Sequence, residues 1–220
     1  MYFNLFTLNA EFLLGIFVGL FMHRDQLKNK KYWVFDLDGT LTQAVHDFSH
    51  IRRELGIEAD QDIITAMDAF SGEEKRTKLT RLDELERHYA ALAKPATGVY
   101  GLFDQLLNMN VRLGILTRNT QDIALLTLKA LDLDKYFEPS HVLGRDEALP
   151  KPSPEGIKIL LNQWSGISSD AVMIGDFYYD LAAGKAANVM TIHVEAGDLH
   201  WPEYTDIRLN DLTELTLLLK

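Results

Sequence analysis

The sequence contains no cysteine, and this absence excludes several kinds of chemistry. Disulfide bonds, thiolate metal sites and a cysteine nucleophile are ruled out, and nothing favours an oxidising compartment. We therefore expect a cytoplasmic protein. Basic residues are also scarce, since 22 Lys and Arg stand against 32 Asp and Glu and leave a net charge of −10. Nucleic-acid binding relies on Lys and Arg that neutralise phosphates, so this balance predicts no nucleic-acid partner.

A long apolar run is missing as well. The most apolar stretch, residues 12–22, has 11 residues, whereas a membrane-spanning helix needs about 20. A basic stretch follows it, which is the reverse of the order in a signal peptide. Three interpretations of the N-terminal extension, residues 1–31, stay open: a gene-start artefact with Met22 as the true start, a membrane or interfacial anchor, and a packed helix. We favour the artefact over membrane contact through residues 1–22.

From residue 32 onward, short apolar runs alternate with helical patterns, and the chain has no internal repeat. Such alternation predicts an α/β fold, a doubly wound parallel sheet with helices on both faces. The predicted strands are residues 32–35, 111–117, 141–144, 171–175 and 189–194. The predicted helices between and after them are residues 101–110, 120–133, 153–164 and 180–188.

Residues 43–96 break this alternation. They contain three helical patterns with no strand between them, namely residues 46–57, 61–70 and 73–93. We interpret residues 43–96 as a helical cap inserted after the first strand of a core domain, residues 32–42 and 97–220. Ligands of such sheets bind outside the carboxyl ends of the strands, so a cap inserted there would cover the site.

Two carboxylates stand where the first strand ends, in YWVFDLDGTLT. The alternation of side chains along a strand points Asp36 and Asp38 to the same side. Two close carboxylates repel each other unless a cation lies between them or one keeps its proton. Gly39 permits a tight turn in which backbone N–H groups can hold an anion. The motif therefore predicts a divalent metal, two carboxylates in different environments, or both.

Polar residues also follow three other predicted strands. Thr117 ends the second strand and Arg118 follows it, Lys151 follows HVLG, and Asp176 and Asp180 follow AVMIG. Taken singly, such residues are typical of a helix cap, a surface lysine or a turn. A parallel sheet, however, brings all of these strand ends to one edge. Carboxylates there suit Mg²⁺, and Lys and Thr suit a phosphate dianion.

These four motifs, in this order, resemble those of the haloacid dehalogenase superfamily of phosphohydrolases. The similarity covers residues 32 to about 195 and is to the subgroup with a helical cap after the first strand, which includes phosphoglycolate phosphatase-like enzymes. It implies a Mg²⁺-dependent phosphatase of a small phosphorylated metabolite. It also implies Asp36 as the nucleophile, forming an aspartyl-phosphate, and Asp38 as the general acid and then base.

The same resemblance implies a metal site and a phosphate site. Mg²⁺ would be held by Asp36, the backbone carbonyl of Asp38 and Asp176, with Asp180 in support. The implied phosphate-binding residues are Thr117 and Lys151, to which we add Gly39 and Arg118. Arg118 could reach a second anionic group of the substrate, and an ion-pair role competes with that interpretation.

Alternatives stay open at this point. A phosphosugar mutase would use the same core residues, with a sugar hydroxyl rather than water attacking the aspartyl-phosphate. A catalytically silent adaptor is a rival from another class. Asp38 argues against a dehalogenase, since dehalogenases of the superfamily lack a carboxylate there. The cap residues that we consider for substrate specificity are His46, Asp47, Arg52 and Arg53; the sequence assigns neither a substrate nor an oligomeric state.

Overall fold

The computed structural model describes residues 24–220. The interpretations of residues 1–22 therefore lie outside the described residues. Within the described part of the chain, each helix is too short or too polar to cross a membrane.

Six parallel strands form one sheet with the order β3-β2-β1-β4-β5-β6. The strands are β1 (Tyr32–Phe35), β2 (Arg112–Leu116), β3 (Val142–Leu143), β4 (Ala171–Gly175), β5 (Met190–Val194) and β6 (Ile207–Leu209). The first strand lies in the middle, paired with both β2 and β4. A central parallel strand is covered on both faces, which explains why β1 reads as an uninterrupted apolar run.

Helices cover both faces of the sheet. A short helical stretch at residues 24–28 precedes β1. The helices that follow are α1 (Phe48–Leu55), α2 (Ile63–Ala66), α3 (Gly72–Ala91), α4 (Val99–Asn108), α5 (Gln121–Ala130), α6 (Glu155–Gln163), α7 (Tyr178–Ala186) and α8 (Leu212–Leu219). Trp33 and Phe35 pack into one apolar cluster with residues of α4, α5 and α8. Val34 points the other way, into a cluster with residues of α6 and α7. The predicted doubly wound α/β fold is confirmed.

The segment between β1 and α4 is helical and has its own apolar cluster. Ile51 and Leu55 of α1 pack there against Leu82, Leu85 and Tyr89 of α3. The chain enters and leaves this segment at neighbouring positions, since the backbone N–H of residue 43 donates to the carbonyl of residue 94 at 2.9 Å. This arrangement is consistent with a cap over residues 43–96, whose boundaries stay a prediction.

Several elements differ from the sequence expectations. The strand β6 and the helix α8 were not predicted, because three residues carry little periodicity and LTELTLLL has a weak polar face. The predicted helix over residues 61–70 is a single α-turn followed by a 3-10 turn. The helix α6 begins at Glu155, and the Ser153 hydroxyl accepts from the Glu155 N–H at 3.3 Å.

Candidate active site

The carboxyl ends of β1, β2 and β4 place polar side chains at one edge of the sheet. Asp36 directly follows β1, and its N–H donates to the Ile174 carbonyl of β4 at 2.8 Å. Thr117 directly follows β2, and its N–H donates to the Leu143 carbonyl of β3 at 3.0 Å. Strand pairing thus continues one residue past each strand and fixes the backbone from which these side chains project.

Lys151 is the buried cation at this edge. Its Nζ lies 2.5 Å from Oδ1 of Asp36 and 2.6 Å from Oδ1 of Asp180. The lysine is only 2% exposed. Burial alone would lower the pKa of Lys151, but the charges of Asp180 and Asp36 raise it above its ordinary value. Lys151 therefore stays protonated and joins two carboxylates that would otherwise repel each other.

Three carboxylates form a compact oxygen cluster beside Lys151. Asp36, Asp176 and Asp180 each place one oxygen within 4.8 Å of the other two. The Thr40 hydroxyl donates to Oδ1 of Asp176 at 3.1 Å and lies 3.5 Å from Oδ2 of Asp36. The Phe177 N–H donates to Oδ2 of Asp180 at 3.1 Å. These bonds hold the carboxylates in place at the start of α7.

The cluster has the properties of a divalent-cation site. Burial, followed by repulsion from Asp36 and Asp180, raises the pKa of Asp176 to about 8. Burial also raises the pKa of Asp180 to about 6, against the opposing effect of Lys151. Burial is the main cause of both raised pKa values, and repulsion among the three carboxylates, which one lysine does not neutralise, adds to it. Carboxylate oxygens are hard ligands of the kind that Mg²⁺ prefers, so the residues fit this cation.

Two glycines allow the carboxylates to approach the backbone closely. Gly39 has a φ of +91°, in the left-handed region, and a Cβ there would overlap the carboxylate of Asp176. A Cβ at Gly175 would overlap the side chain of Asp180. A glycine is therefore required at both positions for the cluster to form.

Asp38 occupies a different environment from Asp36. The Asn119 side-chain amide donates to its Oδ2 at 2.8 Å, and Nδ1 of His46 lies 3.8 Å from its Oδ1. Burial and the negative charge of Asp36 raise the pKa of Asp38 to about 7. The side chain of Asp38 is outside the three-carboxylate cluster. With this pKa, Asp38 is partly protonated at neutral pH.

Arg118 is paired with a carboxylate of the helical segment. Its Nη2 donates to both oxygens of Asp62 at 2.7 and 2.6 Å, and its Nη1 donates to the Lys151 carbonyl at 2.7 Å. Its guanidinium also lies over the Tyr179 ring, 4.2 Å from the centroid. Of the two interpretations of Arg118, the ion pair is the one that the structure contains. Contact between Arg118 and a substrate phosphate stays a prediction.

The cap residues considered for specificity separate into two groups. His46 lies beside Asp38 and packs against the Tyr89 ring. The other three make contacts within the helical segment. Asp47 caps α1, Arg52 donates to the Gln61 carbonyl, and Arg53 lies 3.0 Å from the His50 ring nitrogen.

A second ion pair joins the helical segment to the core. Arg145, just after β3, donates to both carboxylate oxygens of Glu86 at 2.7 and 2.9 Å. Glu86 is 4% exposed, and its burial raises its pKa even though Arg145 opposes this.

Sequence reasoning missed Glu86, Arg145 and Asp62, and also the hydroxyl of Thr40. Only Thr40 had a local signal, because it belongs to the DLDGT motif.

Comparisons with known proteins identify the family of the chain. The family model described as haloacid dehalogenase-like hydrolase matches residues 33–194. Pyrophosphatase PpaX of Listeria monocytogenes is 32% identical over 140 residues, which are 61% of this chain and 63% of that protein. The chain thus spans less than two thirds of the length of that relative. Pyrophosphatase PpaX of Bacillus velezensis is 27% identical over 219 residues, 83% of this chain and 94% of that protein.

A solved structure shares the fold. It is described as a predicted phosphoglycolate phosphatase from Haemophilus somnus and has a TM-score of 0.69 at 17% identity, covering 87% of this chain and 99% of the other. At this identity the likeness concerns the fold alone.

Proposed function

Because the chain belongs to the haloacid dehalogenase-like hydrolase family, we propose that it is a Mg²⁺-dependent phosphatase of a small phosphorylated metabolite. The observation that carries the proposal is the bridge from Lys151 to Asp36 and Asp180, beside three clustered carboxylate oxygens. A cation and a cluster of carboxylates at one sheet edge suit the binding of a phosphate ester together with a divalent metal. A cytoplasmic location remains part of the proposal.

Asp36 is the proposed nucleophile. A carboxylate oxygen of Asp36 attacks phosphorus, the new O–P bond forms, and the bond from phosphorus to the ester oxygen breaks. Lys151 orients Asp36 and places positive charge beside the transferring phosphoryl group. The buried Thr117 hydroxyl, at the end of the neighbouring strand, is proposed to donate to a phosphoryl oxygen. The product of this step is an aspartyl-phosphate.

Asp38 is the proposed acid and base. With a pKa of about 7, a substantial fraction of Asp38 holds a proton at neutral pH and can give it to the leaving ester oxygen. The resulting carboxylate then takes a proton from the water that attacks phosphorus. That attack breaks the bond from phosphorus to Asp36, releases inorganic phosphate and restores both side chains. The hydrogen bond from Asn119 keeps Asp38 directed toward this position.

The proposed metal ligands are the carboxylates of Asp36 and Asp176, the carbonyl of Asp38, and Asp180 in support. When bound, Mg²⁺ would neutralise charge on the phosphoryl oxygens. Thr40 fixes the orientation of Asp176 through its hydroxyl.

Phosphate release from a panel of phosphorylated compounds, with and without Mg²⁺, tests the proposal. The panel includes pyrophosphate, suggested by the names of the sequence relatives, together with phosphoglycolate, sugar phosphates and nucleotides. Mg²⁺-dependent release that Asp36→Asn abolishes would support a phosphatase. Conversion of one sugar phosphate into its isomer on addition of a sugar bisphosphate, without release, would indicate the mutase instead. Folded, Mg²⁺-treated protein that does neither would favour the silent adaptor.

A further inference from the structure

The ion pair between Arg118 and Asp62 connects the candidate site to the helical segment above it. Arg118 is next in sequence to Thr117, and its Nη1 is bound to the backbone carbonyl of Lys151. Asp62 lies at the start of α2 and faces Arg118 with both carboxylate oxygens. The Tyr179 hydroxyl is 3.5 Å from the same carboxylate. The Arg118 guanidinium thus lies between the backbone of Lys151, which is proposed to bind the phosphoryl group, and the carboxylate of Asp62.

Asp62 neutralises the charge of Arg118 at this place. Burial tends to raise the pKa of Asp62, but hydrogen bonds from Thr65 and the charge of Arg118 lower it below its ordinary value. Asp62 is therefore ionised at neutral pH. Both side chains are shielded from solvent, with 21% of Arg118 and 25% of Asp62 exposed, so the pair is screened less than a surface pair.

We propose that Asp62 is a specificity-determining residue that selects against substrates with a second negative charge next to the phosphoryl group. The proposal rests on the proposed phosphatase function and concerns its substrate class. A carboxylate or second phosphate on the leaving group would need a cation beside the phosphoryl site. Arg118 lies there, next to Thr117, and is already bound by Asp62. Such a substrate would also meet the negative charge of Asp62 itself. The favoured leaving groups are uncharged alcohols.

Asp62→Asn tests this idea with little structural change. As the N-cap of α2, Asp62 accepts at Oδ1 from the N–H and the hydroxyl of Thr65 at 3.0 and 2.9 Å. Asparagine is as good a helix N-cap as aspartate, so the variant keeps these bonds. It removes the negative charge and leaves Arg118 without its ionic partner. Asp62→Ser, which also keeps an N-cap oxygen, is a second variant of the same kind.

Two phosphonates that differ only in a carboxylate allow a measurement that needs no turnover. Ethylphosphonate carries the phosphonate as its only charged group. Phosphonoacetate has a carboxylate in place of the methyl group of ethylphosphonate. We expect Asp62→Asn to tighten phosphonoacetate binding about tenfold, the size of one charge-assisted hydrogen bond, as measured by calorimetry with Mg²⁺. The Kd of ethylphosphonate should stay within about twofold. In Asp62→Asn combined with Arg118→Gln, the gain should disappear.

Glu86→Gln is the matched control, because Glu86 makes the other ion pair between the helical segment and the core. It loosens that contact while leaving the pair between Arg118 and Asp62 in place. An unchanged ratio of the two dissociation constants in Asp62→Asn would overturn the proposal. An equal change in Glu86→Gln would do the same, since the effect would then not be specific to the charge of Asp62.

The same variants in the phosphate-release assay separate this inference from the proposed function. Relative kcat/KM for phosphoglycolate over an uncharged-alcohol ester should rise about tenfold in Asp62→Asn. If the wild type releases phosphate but this ratio does not move, the specificity inference fails while the phosphatase stands. If no ester is hydrolysed but the phosphonate preference shifts as expected, the phosphatase fails and the inference about its substrates fails with it; only selection by charge in anion binding would stand.

Discussion

The ammonium group of Lys151 lies 2.5 Å from Oδ1 of Asp36, although 115 residues separate the two in sequence. The same nitrogen contacts Asp180, so one buried lysine serves two carboxylates. Removing it would leave both of them buried without a cation.

Lys151→Met should therefore reduce both activity and stability. We expect phosphate release to fall by a factor of at least about 10² through loss of electrostatic stabilisation. The free energy of unfolding should fall by about 3–5 kcal/mol in the absence of Mg²⁺, as for other broken buried ion pairs. Urea unfolding followed by circular dichroism measures the second effect. Lys158→Met on the exposed side of α6 is the control and should change neither quantity; equal losses in both variants would contradict the assigned role.

Asp38→Asn should affect poor leaving groups most. An alkyl phosphate needs a proton on its departing oxygen, so kcat should fall about 10²–10⁴-fold when the acid is lost. A nitrophenyl phosphate, whose leaving group departs as an anion, should lose much less in the first step. Rapid-quench measurement of the first turnover separates this step from hydrolysis of the phosphoenzyme. Similar losses for both substrates would argue against Asp38 as the acid.

The metal-free protein should become less stable as pH rises. The pKa values of Asp38, Asp180 and Asp176 are raised to about 7, 6 and 8. At these three groups the folded state therefore binds more protons than the unfolded state between the unfolded pKa of about 4 and these values, and their contribution to the free energy of unfolding falls across that window. Mg²⁺ favours the ionised carboxylates, so its stabilising effect should be larger at pH 8 than at pH 5.

Melting temperatures at the two pH values, with and without Mg²⁺, test this prediction. Asp176→Asn should reduce both the pH dependence and the shift produced by Mg²⁺. A stability that rises with pH in the metal-free protein would show that the carboxylates are not the controlling groups.

Gly39→Ala should disturb the carboxylate cluster. The substitution puts a side chain at a φ of +91° and pushes it against Asp176. We expect a loss of about 1–3 kcal/mol in the free energy of unfolding and a weaker response to Mg²⁺. Gly101→Ala is the control, since nothing lies within 4 Å of a Cβ there and alanine favours α4. The control should be neutral or slightly stabilising; equal effects in both would show that the close approach to Asp176 is unimportant.

The sequence predicted which residues meet at the site because each motif comes after a predicted strand of the parallel sheet. Apolar runs identified β1, β2 and β4, and the polar residues that follow them had to share one edge of a parallel sheet. The position of Lys151 beside Asp36 follows the same rule. The roles of these residues stay predictions, whereas their proximity is a structural finding.

Contacts between the helical segment and the core could not be predicted in the same way. Arg118 pairs with a carboxylate 56 residues earlier, and Arg145 with one 59 residues earlier. No periodicity encodes such pairs, because they depend on how two separately packed units dock. The strand β6 escaped prediction for a simpler reason: it has three residues, and Arg208 in its middle is exposed.

The two ion pairs to the helical segment are attached to one short stretch of the core. Nη1 of Arg145 also donates to the backbone carbonyl of Arg118 at 3.1 Å. This stretch is residues 117–119. Thr117 and Asn119 flank Arg118, and the Asn119 side-chain amide donates a hydrogen bond to Asp38. The helical segment and the hydrogen bond to Asp38 are therefore connected through the three residues 117–119. A displacement of the helical segment would act on Asp38 through this stretch.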